Sequence, residues 1–308
     1  YPLWGLQETE NFREDVKIAN LTLAASPWNL EQLLRKTYKS EGIPTNLKPS
    51  DFQSGTNDNI FLVGSAIQGI FEELQSYLKK DANGQSIPLS QLAQMNQEQA
   101  SQFLVDPELD VEKIIQAYTN LGALEKYTKA ESMTAKEAMD FLLNNKLEAK
   151  VAIADYFGYQ LGPVNFLPVS KITIPVNKAN AIKYGIVAKE DAAKMVDTIT
   201  INISKSRLFK SDLMMLSMLA NYNWDRPIYF SGGGVSDPSN TFFLNDYLQN
   251  TGLSYKFVPI YNEFGKGGVI GGVNITELNR VFNSYKSSGF NNPKASFSIT
   301  ERAYTSSY

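Results

Sequence analysis

The chain has 308 residues, of which 43% are hydrophobic and 20% charged, with a formal charge of -3; that is enough for one large domain or two ordinary ones with a full core. Its 29 basic side chains are scattered among 32 acidic ones, so no electrostatic footprint for nucleic acid exists and no such partner is expected. It contains neither cysteine nor histidine, which excludes disulfides, thiolate nucleophiles, Ser-His-Asp triads and cysteine- or histidine-bound metals from within it.

No run of about 18 apolar residues is present to span a membrane. The opening Tyr1-Pro2-Leu3-Trp4-Gly5 has no starting methionine and no basic leader with an apolar core, so the chain reads as a fragment or a processed product. Residues 2–10 open as a helix, with Pro2 in the first turn and acidic residues close behind. Alternating Val16 and Ile18 predict a strand over 15–23. Ser26 and Pro27 then predict the cap of a helix over 28–39, where Leu30, Leu33, Leu34 and Tyr38 recur at helical spacing. Gly42, Pro44, Pro49, Gly55 and Asn57-Asp58-Asn59 mark a surface loop.

Stretches 60–80, 89–104, 111–129 and 134–157 predict helices, broken at Gly84, Pro88, Asp106-Pro107 and Ser132. They have no fixed period, so they are not a repeat array. Strand patterning returns at 171–176 and 197–203, where Ile199, Ile201 and Ile203 alternate with Thr198, Thr200 and Asn202. A short helix is predicted between them at 178–184, and a turn or two at 189–196.

The organising stretch is 212–260. Residues 212–220 are apolar on nearly every face, as a core helix should be, with Asp212 placed to cap its start. Pro227 ends that helix, and 228–230 predicts a strand. After Gly232-Gly233-Gly234, Asp237-Pro238 predicts the start of a helix carrying Phe243, Leu244, Tyr247 and Leu248 on one side. Thr251-Gly252 closes it, and 255–260 returns as a strand. Strand, helix and strand in this order predict a right-handed parallel crossover. The expected fold is therefore α/β, a Rossmann-like layered and mainly parallel sheet. Its α/β domain would comprise 1–59 and 158–286, with a helical insertion at 60–157. A final helix over 275–285, capped by Asn274 or Thr276, would precede a polar tail at 287–308.

Several phrases carry a resemblance: Tyr1-Pro2-Leu3-Trp4 with Gln7-Glu8, the stretch 15–23, Trp28 with Gln32-Leu33, Ile174-Pro175-Val176-Asn177-Lys178, Asp212-Leu213-Met214-Met215-Leu216, the stretch 223–230, and Tyr247-Leu248 with 252–260. On these the chain resembles the C-terminal soluble domain of a Bacteroidota family of polytopic membrane proteins of unknown function, described as protein O-mannosyltransferase-like within the glycosyltransferase-C superfamily. The resemblance covers most of the chain outside 60–157. It implies a bundle of membrane helices before this domain, a periplasmic location tethered to the inner membrane, and a catalytic carboxylate in a membrane-helix loop outside this chain. The chain alone is then expected to be inert as a catalyst, with no cofactor and no metal. Its partners would be its own N-terminal transmembrane region and an acceptor glycan or polypeptide. Gly232-Gly233-Gly234 departs from the family's pattern and inherits no role.

Glycines 232–234, between a strand and a helix, would offer backbone amides to an anion, although they match neither G-x-G-x-x-G nor a P-loop. A plain flexible turn is the competing reading. Trp4, Trp28, Trp224, Tyr222 and Tyr229 supply flat faces that cover the apolar side of a sugar ring, with Asn20, Asn221 or Asn223 to pair hydroxyls. For Trp224 a core role comes first, whereas Trp28 follows a turn and is placed to face a cleft. Glu8 with Glu10, or Asp212 with Asp225, would make an acid and base pair only if they converge, and helix-start carboxylates are usually caps. Asp81-Ala82-Asn83-Gly84-Gln85 reads as a solvent turn, since Leu92 stands where a calcium loop needs glutamate. The predicted ligand-binding set is Asn20, Trp28, Tyr229, Gly232, Gly233 and Gly234. The function expected is a periplasmic accessory domain that holds the acceptor; the alternative is a structural or interaction module of the cell envelope.

Overall fold

The computed structural model describes residues 2–129, 132–143, 147–231, 235–252, 254–262 and 272–287. Two compact units are present, one of residues 1–172 with 204–220 and one of 173–203 with 221–308. Along the first pass through the first unit run α1 (Pro2–Glu10), α2 (Pro27–Leu34), β1 (Asn59–Leu62) and α3 (Gly64–Ser76). Next come α4 (Leu89–Leu92), α5 (Gln97–Ser101), α6 (Val111–Leu121), α7 (Glu125–Lys129), β2 (Met133–Thr134), α8 (Ala135–Leu143), α9 (Leu147–Phe157) and β3 (Val164–Leu167). β4 (Lys171–Pro175), α10 (Lys178–Lys183) and β5 (Thr198–Asn202) lead through the second unit. β6 (Arg207–Leu208) and α11 (Lys210–Ala220) return to the first. β7 (Tyr229–Ser231), β8 (Leu248–Asn250), β9 (Ser254–Phe257), β10 (Gly272–Val273) and α12 (Ile275–Ser287) complete the second.

In the first unit a small sheet runs β3-β1-β6, with β1 parallel to β3 and antiparallel to β6. α11 packs against α8, and Leu213, Met214, Met215, Leu216 and Leu219 are all buried, as its all-round apolar sequence requires. Asp212 does cap this helix, but from within its first turn. Its carboxylate accepts the Phe209 N–H (2.9 Å) and pairs with Lys205 (3.1 Å). At the same end Lys210 is buried, bonding the Phe52 and Gln53 carbonyls and the Asp58 carboxylate. This contact fastens the loop before β1. The lysine holds the Asp58 carboxyl below its ordinary range.

Three sequence expectations change here. Residues 15–23 form turns instead of a strand, because Asn20 diverts the backbone: its carbonyl takes the Leu23 and Ala24 N–H groups and its Oδ1 takes that of Thr22. Residues 60–62 are strand rather than helix, and α3 begins only at Gly64, where a Cβ would collide with the Pro168 carbonyl oxygen. α2 stops at Leu34. Ser26 stands at its N-cap with Pro27 in the first turn, as expected, but the Ser26 hydroxyl donates to the Leu23 carbonyl (2.7 Å) and makes no side-chain cap.

The Rossmann-like parallel sheet is overturned by the second unit. β7 and β9 are antiparallel neighbours, Tyr229 opposite Lys256, so no crossover joins them. The predicted helix between them is absent: Asp237 caps only a 3₁₀ turn, Pro238–Thr241. Phe242 and Phe243 then take left-handed backbone (φ 52° and 59°), which no helix can continue through. A buried pair holds this corner, Thr241 Oγ1 donating to Asn245 Oδ1 and Asn245 Nδ2 to the Val235 carbonyl (2.8 Å). Leu248 enters β8, which forms a hairpin with β9 through a turn where Gly252 has φ +108°. The four-stranded order is β10-β8-β9-β7, with only β10 and β8 parallel. Elsewhere β5 keeps its alternation, Ile199 and Ile201 buried and Thr198 and Thr200 exposed, and Asn274 caps α12 through the Glu277 N–H (3.0 Å).

Lys150 of α9 is buried, and its ammonium donates to the Leu142 carbonyl (2.7 Å) near the end of α8. Asn165 Nδ2 reaches the same carbonyl (3.0 Å), and no carboxylate among the described residues pairs with the lysine. Burial pulls its pKa down to about 8. Between that value and the ordinary lysine range the unfolded chain holds a proton that the fold releases, so stability should rise with pH through this window. Lys150→Met, which keeps an apolar stem and removes the charge, should flatten the rise, by on the order of 3 kcal/mol at most between about pH 8 and about pH 10. Urea midpoints of both proteins across that range measure it.

Candidate functional site

A cleft in the second unit is built from three chain segments. β4 ends at Pro175, and the Val176 N–H bonds the carbonyl of Asp197, just ahead of β5 (3.0 Å). Asn177 caps α10, its Oδ1 accepting the Asn180 N–H (3.1 Å). Residues 222–224 supply the floor. Trp224 is fully enclosed, its indole Nε1 donating to the Pro175 carbonyl (2.9 Å) and its ring stacked on Phe257 at 5.2 Å. Tyr222 lies 4.8 Å from the indole and donates its hydroxyl to the Arg226 carbonyl (2.6 Å). Burial, reinforced by the Asp225 charge, raises the Tyr222 pKa far above its ordinary value, so the phenol stays protonated.

Trp224 has φ 57°, a left-handed conformation that bulky side chains rarely adopt. That turn aims the indole inward and leaves Asn223, next to it, exposed. Asn177 Nδ2 donates to Asn223 Oδ1 (3.2 Å), and Asn180 Nδ2 donates to the Asn223 carbonyl (2.8 Å). Lys178 and Asp197 form an ion pair at 2.7 Å, with the Asp197 side chain 93% exposed. The open space amounts to about 560 Å³, bounded by Pro175, Val176 and these groups. Amide, carboxylate and ammonium stand side by side over a rigid aromatic base. Such a set can bind and orient a ligand rich in hydroxyls or amides. No group of three or more carboxylates is placed to hold a metal ion among the described residues.

Asn20 and Trp28 belong to the first unit and Tyr229 to the second, while Gly232, Gly233 and Gly234 lie outside the described residues. The Asn20 side chain is half-buried and engaged by the Thr22 N–H, whereas Trp28 is 52% exposed at the start of α2. Tyr229 is 48% exposed, with the Lys256 ammonium 5.8 Å from its ring. That ammonium donates to the Gly185 carbonyl (2.6 Å), and burial lowers its pKa, against the pull of Glu277. Asp212 is committed to its helix cap, and Asp81 accepts the Asn83 and Gln85 N–H groups as a turn residue should.

Sequence reasoning named Asn223 and set Trp224 in the core, but missed Asn177, Lys178 and Asp197 as its neighbours. The available signal was local: a proline-ended strand followed at once by an asparagine cap. Two of the phrases that carried the resemblance, 174–178 and 223–230, meet at this cleft.

A family model described as TMEM260-associated domain 2 matches residues 1–276. No curated protein and no solved structure matches the chain. Trp224→Phe keeps most of the buried ring but removes the donor to the Pro175 carbonyl. It should lower unfolding free energy by about 2 kcal/mol and loosen the Asn177 to Asn223 contact, measurable as a shifted denaturation midpoint and altered side-chain amide NMR signals.

Proposed function

We propose, from the premise that the chain belongs to the TMEM260-associated domain 2 family, named for a membrane protein, that it is an accessory domain holding the acceptor for chemistry carried out in a membrane-embedded part. The parent would be a Bacteroidota protein O-mannosyltransferase-like member of the glycosyltransferase-C superfamily. The domain would stand in the periplasm, tethered to the inner membrane through a transmembrane region of the same protein. The observation that supports this reading is the cleft over Trp224, where Asn177, Asn223, Lys178 and Asp197 present polar groups for a glycan or polypeptide. Its ionisable groups are one mutually paired lysine and carboxylate and a phenol held protonated. Those groups favour holding over bond making. Trp28 and Tyr229, with exposed rings, are proposed as further contacts on the surfaces where they stand.

No helix of the described residues is long and apolar enough to cross a membrane, so in this reading the transfer chemistry belongs to another part of the parent. A second reading, an interaction module of the envelope, has its own observation: Leu3, Leu6 and Phe12 in and after α1 are 59%, 42% and 59% exposed.

Under the holding reading the isolated chain, mixed with a lipid-linked sugar and acceptor, should give no glycosyl transfer. In the full-length parent, Asn223→Ala should raise the acceptor KM by roughly five- to tenfold with kcat little changed, the signature of lost uniform binding. Robust transfer by the chain alone, or an unaltered KM, would refute the assignment.

A further inference from the structure

Building on the holding reading, we propose that the cleft takes a neutral glycan through neighbouring hydroxyls and does not take an extended polypeptide. An extended polypeptide is recognised by unpaired main-chain groups along a strand edge and by apolar pockets for alternate side chains. At this cleft main-chain groups of all three segments are already engaged. The Val176 N–H meets the Asp197 carbonyl, the Pro175 carbonyl accepts Trp224 Nε1, and the Asn223 carbonyl accepts Asn180 Nδ2. The ring faces offer no socket either, since Tyr222 is 7% and Trp224 0% exposed. Pro175 and Val176 contribute only shallow apolar edges.

Side-chain polar groups remain available to a ligand. Among the described residues Asn223 keeps its Nδ2–H donors, since its Oδ1 and its carbonyl are the groups that Asn177 and Asn180 use. The exposed Asp197 carboxylate has lone pairs beyond the one facing Lys178, and the Lys178 ammonium has protons beyond the one facing Asp197. A hydroxyl both donates and accepts, so adjacent hydroxyls on a sugar ring satisfy this alternation: one oxygen accepts from Asn223 or Lys178 while its proton goes to Asp197. Lysine and aspartate cancel in charge, which favours a neutral sugar over a uronic acid or a phosphorylated one. Because these groups are exposed or half-exposed and a ligand must displace solvent from them, affinity per site should be weak, and an assembled acceptor would gain by presenting several sugars.

The test is an NMR titration of the isotope-labelled chain with a panel of neutral di- and trisaccharides, in parallel with an unfolded Ser/Thr-rich peptide. Saturable shifts of the Asn177 and Asn223 side-chain amides are expected with the saccharides and not with the peptide. Asp197→Asn, which keeps the shape, and Asn223→Ala should each raise the saccharide Kd about tenfold, or about 1.4 kcal/mol, with the remaining amide spectrum reporting an intact fold. Peptide shifts at the cleft with silent saccharides would overturn the glycan assignment and leave the holding reading in place. Silence from both ligands would overturn both, and saccharide binding that survives both substitutions would show that these residues are not its site.

Discussion

The bond from the Trp224 indole to the Pro175 carbonyl is the constraint on which the cleft depends. It ties the end of β4 to a segment 49 residues further along. The neighbouring amide contact between Asn177 and Asn223 is long for a hydrogen bond at 3.2 Å and exposed, so by itself it would contribute little. It forms because the indole has already brought the two segments together. The left-handed backbone at Trp224 costs about 1–2 kcal/mol. Enclosing a tryptophan completely, stacked on Phe257, is worth more than that. The strained conformation therefore persists, and one consequence is that consecutive residues face opposite ways, Trp224 into the core and Asn223 to solvent.

What could be read in the sequence was whatever local physics decides alone. Ile199, Ile201 and Ile203 alternate, and β5 is a strand with Ile199 and Ile201 inside and Ile203 buried just past its end. The stretch from Leu213 to Leu219 is apolar on all sides, and α11 is a core helix. Asn274 caps α12, and Asp81 closes a turn. In each case a short-range pattern and its tertiary surroundings agree, so the pattern was sufficient.

Where the reading failed, a longer-range partner made the decision. Phe243, Leu244, Tyr247 and Leu248 have helical spacing, yet a buried hydrogen-bond pair between Thr241 and Asn245 and a hairpin partner for Leu248–Asn250 draw the same residues into turns and a strand. Short apolar runs do not distinguish helix from strand by period alone. Asp237-Pro238 did signal a helical start, and a single 3₁₀ turn satisfied it. The inferred crossover followed from that one misread element, and with it the layered parallel sheet; β7 and β9 are instead adjacent and antiparallel. Residues 15–23 failed for a different reason, since alternation without a neighbouring strand leaves Asn20 free to fold the backbone onto itself.

The candidate site was half legible for related reasons. Tryptophan and asparagine at 223–224 stand out by type, but Asn177, Lys178 and Asp197 are ordinary surface residues until the indole bond joins the first and last of these segments and the Val176 N–H, bonding the Asp197 carbonyl, joins the third. Their chemistry also limits what the cleft does. The Tyr222 phenol, which burial keeps protonated, is a poor general base near neutral pH, because a general base works best with a pKa close to the working pH, and the Asp197 carboxylate faces the Lys178 ammonium. The enclosed aromatic base and the exposed polar groups at its rim present a hydrogen-bonding pattern to solvent, which the proposed function assigns to a ligand. In the proposed function recognition falls to this domain and bond making to another part of the parent, with Asn177, Asn223, Lys178 and Asp197 as the contacts.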